Sequence, residues 1–176
     1  GGSFTGGSKE NEPVVSLAET FVRKGYVAAG INYRLSETTV FDWDTYRIDT
    51  LALFDAAHHA MHDAKAAIRF FRRNASTYRI DSENIIIGGV SAGGITAVTS
   101  AYTDREDELL PGASPNSVEG TSGNEGYSSS VAAVVSLCGG AIDPAILDKP
   151  GDPRLFVAHD RLDPIVPVDA ALSLYN

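Results

Sequence analysis

The stretch IIIGGVSAGG, Ile85 to Gly94, changes character at its midpoint. Three branched apolar residues read as a buried strand. The glycine-rich remainder has little side chain to pack and holds one hydroxyl, Ser91. Gly89-Val90-Ser91-Ala92-Gly93 is a G-x-S-x-G sequence between a predicted strand, NIIIGGV, and a predicted helix, SAGGITAVTSAY, that starts at Ser91. That context is what marks a nucleophilic serine on a sharp, strained turn. Side chains two residues to either side would clash with such a turn, so Gly89 and Gly93 are small for a steric reason. The N–H of Ala92, at the head of the helix, is then available to a developing oxyanion. A turn chosen only for packing and a phosphate-cradling loop are the alternatives. A dinucleotide fingerprint fits worse, because no G-x-G-x-x-G lies in register and no acidic residue follows about 20 residues on at the end of a second strand.

Outward from this stretch, strands and helices alternate. NEPVVSLAETFVRKG reads as a helix with Pro13 in its first turn and Gly25 as its stop. YVAAGINY, Tyr26 to Tyr33, reads as a short apolar strand, and residues 34–48 as irregular. From Thr50 to about Asn74 one long helix is expected. Phe54, Ala57, Met61, Ala64, Ile68 and Phe71 recur at steps of three and four and make one apolar stripe. VAAVVSLC and RLFVAH are further strands, and VPVDAALSLY opens a last helix. Strands apolar on both faces, alternating with helices, predict an α/β fold: a mostly parallel sheet flanked by helices, in one domain over residues 1–176. Residues 104–130 break the rhythm with four Gly, six Ser and the acidic run DREDE. A loop this long is an active-site lid or a disordered insertion.

The bulk properties exclude some functions. The 176 residues carry a formal net charge of −9, which argues against nucleic acid or an anionic membrane surface as the partner. Cys138 is the single cysteine, so no internal disulfide is possible, and its apolar run marks it as a small buried residue. No apolar run approaches the roughly 18 residues that span a bilayer. His58 and His62 stand four apart on the long helix near Asp55 and Asp63, a legitimate zinc spacing. No Glu separates them as H-E-x-x-H requires, so packing is the preferred reading, with Asp63 anchoring the helix to neighbouring backbone. Asn74-Ala75-Ser76 matches a glycosylation acceptor and is read as a chance match.

Several stretches together resemble the α/β-hydrolases of the carboxylesterase and feruloyl-esterase-like (BD-FAE) type. GGSFTGGSK at the start is similar to the tail of that family's H-G-G-x-F/W oxyanion loop. INYRL, Ile31 to Leu35, is similar to the strand ending that follows it, and DAKAAIRFFRRNASTYRIDSENI to the approach to the elbow. HDRLDPIVP, His159 to Pro167, resembles the H-G-x-x-D-x-x-V-P segment that carries the triad acid, with Asp160 where the family has Gly. The resemblance implies a serine carboxylic ester hydrolase that needs no metal or cofactor and acts on a small-molecule ester. It implies Ser91 as nucleophile and Asp163 as the carboxylate orienting the catalytic His. It also implies that N–H groups at Gly2 and Ser3 complete the oxyanion hole with Ala92. A turn-forming role is the plainer reading of Asp163, which precedes Pro164.

The resemblance also implies a histidine on a loop beyond the acid, and none of the four histidines of the chain fits that place. The chain is therefore expected to be a fragment truncated at both ends, inactive alone. It would lack N-terminal strands, among them the one that belongs between YVAAGINY and NIIIGGV, and the His-bearing C-terminal segment. A gap or shifted pairing is expected there. Other acyl groups, as in a peptidase or lactonase of the same superfamily, stay open, as does a non-catalytic binding protein on the same fold. Phe41, Trp43 and Tyr46 are either an aromatic substrate wall or local packing.

Overall fold

The computed structural model describes residues 2–147 and 150–175. A single 3₁₀ turn, Gly2–Phe4, opens the chain and leads to helix α1, Glu12–Val22. Pro13 sits in its first turn. At its far end Tyr26 N–H bonds Phe21 O and Gly25 N–H bonds Val22 O, with Gly25 at φ 89°. That left-handed glycine closure is what ends the helix. A short hairpin follows, β1 (Phe41–Asp42) and β2 (Arg47–Ile48), paired antiparallel. The irregular reading of residues 34–48 missed it. Its turn is held by the Asp42 carboxylate, which accepts from Asp44 N, Thr45 N and the Thr45 hydroxyl. Phe41 is buried and meets Trp43 and Tyr46 edge-on, at ring distances of 4.8 and 5.9 Å, while Trp43 and Tyr46 stay exposed.

Helix α2 (Thr50–Arg73) is capped by Asp49, whose carboxylate accepts from Ala52 N at 3.0 Å. One turn of helix, α3 (Ala75–Tyr78), leads into strand β3 (Ile86–Val90). Helix α4 (Ala92–Tyr102), strand β4 (Ala133–Leu137), strand β5 (Arg154–Ala158) and the short helix α5 (Val168–Leu172) complete the order. The three longer strands form one parallel sheet in the order β3-β4-β5, with Ile86, Ala133 and Arg154 level at one end and Val90, Leu137 and Ala158 at the other. The α/β expectation of a parallel sheet flanked by helices therefore holds.

The strand expected over Tyr26–Tyr33 does not form: these residues join no sheet among the described residues. A strand exists only when a neighbour takes its backbone groups, and β3 pairs on one side alone, with β4. Tyr26 and Val27 are half exposed as a result.

One face of the sheet packs on α4 and the C-terminal turns: Ile87, Val134, Leu155 and Val157 meet Ala97, Val98, Tyr102 and Leu174. On the other face Ile86, Val90 and Phe156 are exposed. Glycine brings α4 close to the sheet. A Cβ on Gly139 would lie 2.8 Å from both Gly94 Cα and Ser136 Oγ.

The predicted stripe on α2 is buried at Ala57, Met61, Ala64 and Ile68. The burial is wider than the stripe, because residues 104–130 run beside the helix and are bonded to its polar side chains. His58 Nε2 donates to Pro115 O at 2.8 Å and His62 Nε2 to Ser117 O at 2.6 Å. Arg69 donates to Glu119 O and Gly123 O and pairs with the Glu119 carboxylate at 2.6 Å. Lys65 Nζ donates to Thr103 O at 2.8 Å. Apart from the 3₁₀ turn Glu106–Glu108, residues 104–130 hold no helix or strand. The zinc-like pair His58 and His62 thus spends its Nε2 atoms on carbonyl oxygens, with the two rings 4.1 Å apart. No helix among the described residues is long and apolar enough to cross a membrane.

Burial holds both His58 and His62 below the ordinary imidazole value of 6.5, more than their carbonyl hydrogen bonds raise them; the charge of Arg34 pushes the same way. The unfolded chain therefore takes up these protons first as pH falls, and their contribution, whole above 6.5, is lost as pH drops below it. The melting temperature is expected to fall between about pH 7.5 and about pH 5.5, and less so in a His58→Gln/His62→Gln variant, which keeps a donor at each site without a titration. Gly139→Ala is expected to cost about 1–3 kcal/mol, read as a lower urea midpoint at unchanged slope.

Candidate active site

Strand β3 runs straight into α4 through one residue. Ser91 has φ 56° and ψ −123°, a backbone conformation that costs a non-glycine residue about 1–3 kcal/mol and persists only when its surroundings enforce it. The enforcement is visible. Ser91 N–H donates to Leu137 O at 2.8 Å, extending the pairing with β4, and Ser91 O accepts from Ile95 N at 3.0 Å, starting the helix. A Cβ on Gly89 would lie 2.3 Å from the carbonyl carbon of Gly93. The two backbones are in contact, so the turn can form only with glycine at 89. Ser91 occupies the N-cap position, yet its hydroxyl makes no capping bond. It stands at the carboxyl edge of the sheet, where loops between strands and helices gather.

Ala92, buried, is the first residue of α4. Its N–H has no intrahelical acceptor, as for every first-turn amide, and lies at the positive end of the helix. The N-terminal turn is packed beside it. Phe4, 1% exposed, shares one apolar cluster with Ala92, Val40, Ala56, Ala57 and Ala60. Gly2, Ser3 and Phe4 all have left-handed φ, at 65°, 50° and 64°. Phe4 O is held by Ser36 N–H at 2.8 Å, and the Tyr33 ring stands 6.0 Å from the Phe4 ring. The structure thus brings Gly2 and Ser3, two residues singled out in the sequence, to the neighbourhood of Ala92.

Asp163 follows β5 and lies at the same edge of the sheet. One carboxylate oxygen, Oδ1, accepts from Ile165 N at 2.8 Å and from Val166 N at 3.0 Å, so Asp163 forms the turn before Pro164. Its Oδ2 stands 3.7 Å from His159 Nε2. The turn role and an orienting role therefore use different oxygens of one carboxylate.

His159 is the histidine nearest the acid in sequence, and it is committed elsewhere. Its ring nitrogens face Gly139 O at 3.1 Å and Val166 O at 2.8 Å, and its side chain is 4% exposed. It stands level with Ser91 but two strands away, on the far side of Cys138, which at two interstrand spacings is about 10 Å of backbone separation. His59 pairs with Asp55, and His58 and His62 are bonded to the 104–130 segment.

Two features escaped the sequence reading. Cys138, read as a small buried residue, is only partly buried and has φ 49°, between the Ser91 and His159 positions at the carboxyl edge. The Gly139-Gly140 pair that follows it was the available signal. The second is the tie between Arg34 and Asp63. Arg34 N–H, Nε and Nη2 all reach the Asp63 carboxylate, at 2.8, 3.0 and 2.9 Å, and the Ser122 hydroxyl donates to it at 2.7 Å. Asp63 was expected to anchor backbone, and Arg34 N–H is that backbone; the guanidinium fork was not legible.

Known proteins share this fold. A search of curated protein sequences finds no match to the chain. Among solved structures, a truncated form of a carbohydrate esterase from gut microbiota superposes with a TM-score of 0.73 at 22% identity, over 100% of this chain and 69% of that one. A bifunctional GH43-CE from Bacteroides eggerthii gives 0.72 at 23%, over 99% of this chain and 27% of that one. Thermogutta terrifontis esterase 2 with butyrate bound gives 0.69 at 21%, over 99% and 63%. These likenesses carry the fold, and the chain spans only part of each relative. The sequence model of the family described as BD-FAE matches residues 1–147. The chain belongs to the BD-FAE family and folds as an α/β-hydrolase.

Proposed function

We propose that the protein is a serine carboxylic ester hydrolase and that Ser91 is its nucleophile. The observation that carries this reading is the turn at Ser91: a strained, non-glycine residue between a parallel strand and a helix, its hydroxyl not used as a cap, in a member of the BD-FAE family. The esterases among its structural relatives support the reaction class.

In the proposed reaction a histidine takes the Ser91 proton as Oγ attacks the ester carbonyl carbon. Of the histidines in residues 1–176, His58, His62 and His159 bond carbonyl oxygens and His59 pairs with Asp55, so none of the four is assigned this role. The carbonyl oxygen becomes an oxyanion and accepts from Ala92 N–H and from the N–H groups of Gly2 and Ser3. The histidine returns the proton to the leaving alcohol, giving an acyl-Ser91. Water, deprotonated by the same histidine, attacks the acyl carbon; the bond to Ser91 Oγ breaks, the histidine gives Oγ the proton, and the acid leaves. Asp163 Oδ2 holds the imidazolium in its working orientation while Oδ1 keeps its own loop folded. The 176 residues alone, without that histidine, are inactive in this reading. The mechanism needs neither metal nor cofactor.

Hydrolysis of a short-chain p-nitrophenyl ester by the natural full-length protein tests the proposal. Ser91→Ala is expected to lower kcat about 10³-fold or more, and Asp163→Asn about 10²- to 10⁴-fold, with both variants folded by circular dichroism. Turnover undiminished in Ser91→Ala would overturn the assignment.

A further inference from the structure

We infer that Asp63 and Arg34 are positioning residues for the oxyanion loop, acting from outside the site through the backbone of residues 33–36. The role rests on the esterase reading above.

The loop needs an external hold. Three consecutive residues, Gly2, Ser3 and Phe4, lie in the left-handed region. Such a run is kept only by contacts that over-determine it. The fixed points are the Phe4 ring, buried against α2 and Ala92, and Phe4 O, held by Ser36 N–H at 2.8 Å. Ser36 belongs to a segment, residues 26–36, that joins neither helix nor strand among the described residues. Lys9 N–H also bonds Asn32 Oδ1 at 2.7 Å, so both halves of the N-terminal segment lean on this strip.

The strip is in turn fixed to α2 at Asp63. Arg34 contributes its backbone N–H and two guanidinium nitrogens, and Nη2 also reaches His59 O at 3.3 Å. Ser122 donates to the same carboxylate, which ties residues 104–130 to the junction. A bidentate fork onto a mostly buried carboxylate sets both distance and angle, which a point charge does not. Burial alone would raise the Asp63 carboxyl, but the bonds from Arg34 and Ser122 outweigh it and hold the group below its ordinary value, keeping it charged. The hold therefore runs Asp63 to Arg34, Arg34 to Ser36, Ser36 to Phe4, and Phe4 to the amides beside Ala92. Displacement of an oxyanion donor by about 1 Å is enough to cost about 10²-fold in rate.

The test has two arms in the natural full-length protein, on Asp63→Asn and on Arg34→Lys, which keeps the charge and the backbone donor but loses the fork. If Asp63→Asn fails to fold, Arg34→Lys carries both arms. In the first arm, amide hydrogen exchange of residues 2–6 is expected to quicken about 10-fold or more while β3 and β4 stay protected. In the second, kcat for a p-nitrophenyl ester is expected to fall about 10- to 100-fold with KM little changed. Affinity for a trifluoromethyl ketone, whose adduct carries the oxyanion, is expected to fall in parallel. A lower melting temperature with kcat unchanged would reduce the tie to a structural one and overturn the inference, as would unchanged exchange in residues 2–6. If the wild type and Ser91→Ala are equally inactive, the esterase reading fails, and the exchange arm alone decides whether Asp63 holds the loop.

Discussion

At Gly89 the chain comes into contact with the backbone of Gly93, and the rest of the site depends on that contact. It lets the chain leave β3 and enter α4 within one residue, leaving Ser91 in a conformation that no isolated peptide would favour. Because β3 is paired with β4 up to Val90 and α4 is already bonded at Ile95, Ser91 has no freedom to relax. The same closeness recurs one step further on, where Gly94 and Gly139 bring the start of α4 onto β4. Glycine acts here through absent volume, and the side chain it frees is the hydroxyl.

Around this rigid centre the fold uses polar ties where it lacks a layer of apolar packing. Helix α2 buries His58, His62, Lys65 and Arg69 as well as its alanines. Burying such groups is costly unless each finds a partner. Here the partners are mostly backbone carbonyls of the 104–130 segment, so the cost of desolvating α2 and the ordering of a long loop offset one another. The arrangement is not perfect: one Arg69 nitrogen, Nη2, is buried without a partner among the described residues. Burial pushes the Lys65 ammonium below its usual value even with Glu119 3.6 Å away drawing it up. Residues 104–130 thus belong to the body of the fold along α2, the same helix that holds Arg34 and packs against Phe4.

The N-terminal turn shows a different kind of dependence. Its apolar anchor, Phe4, is local to the site, but its backbone is held by residues some thirty positions away, which are held by α2 in turn. Long-range ties of this sort cost chain entropy and are made only where the tertiary frame already exists. Asp163 is held more locally, by amides two and three residues on, which is why its turn resembles one that a peptide of that sequence would favour.

How much was legible follows from these ranges of interaction. The helix over Thr50–Arg73, the strands around Ile86–Val90, Ala133–Leu137 and Arg154–Ala158, and the turn at Ser91 were readable because periodicity, an Asp cap and glycine spacing are properties of neighbours in sequence. The strand over Tyr26–Tyr33 was misread because apolar β-branched composition marks a capacity for pairing, and pairing is decided by whether another strand lies alongside. The zinc-like spacing of His58 and His62 was real, but what those rings bond to was set by residues fifty-five and more positions away. The sequence by itself determined an α/β chain with Ser91 on a glycine-walled turn, because those constraints are steric and local. Only the tertiary structure decided that Phe4 packs in one cluster with Ala92, that His159 is taken up by Gly139 and Val166, and that Asp63 is bound by Arg34. Each of these is a contact between distant segments, and no local rule determines which distant backbone a side chain will meet.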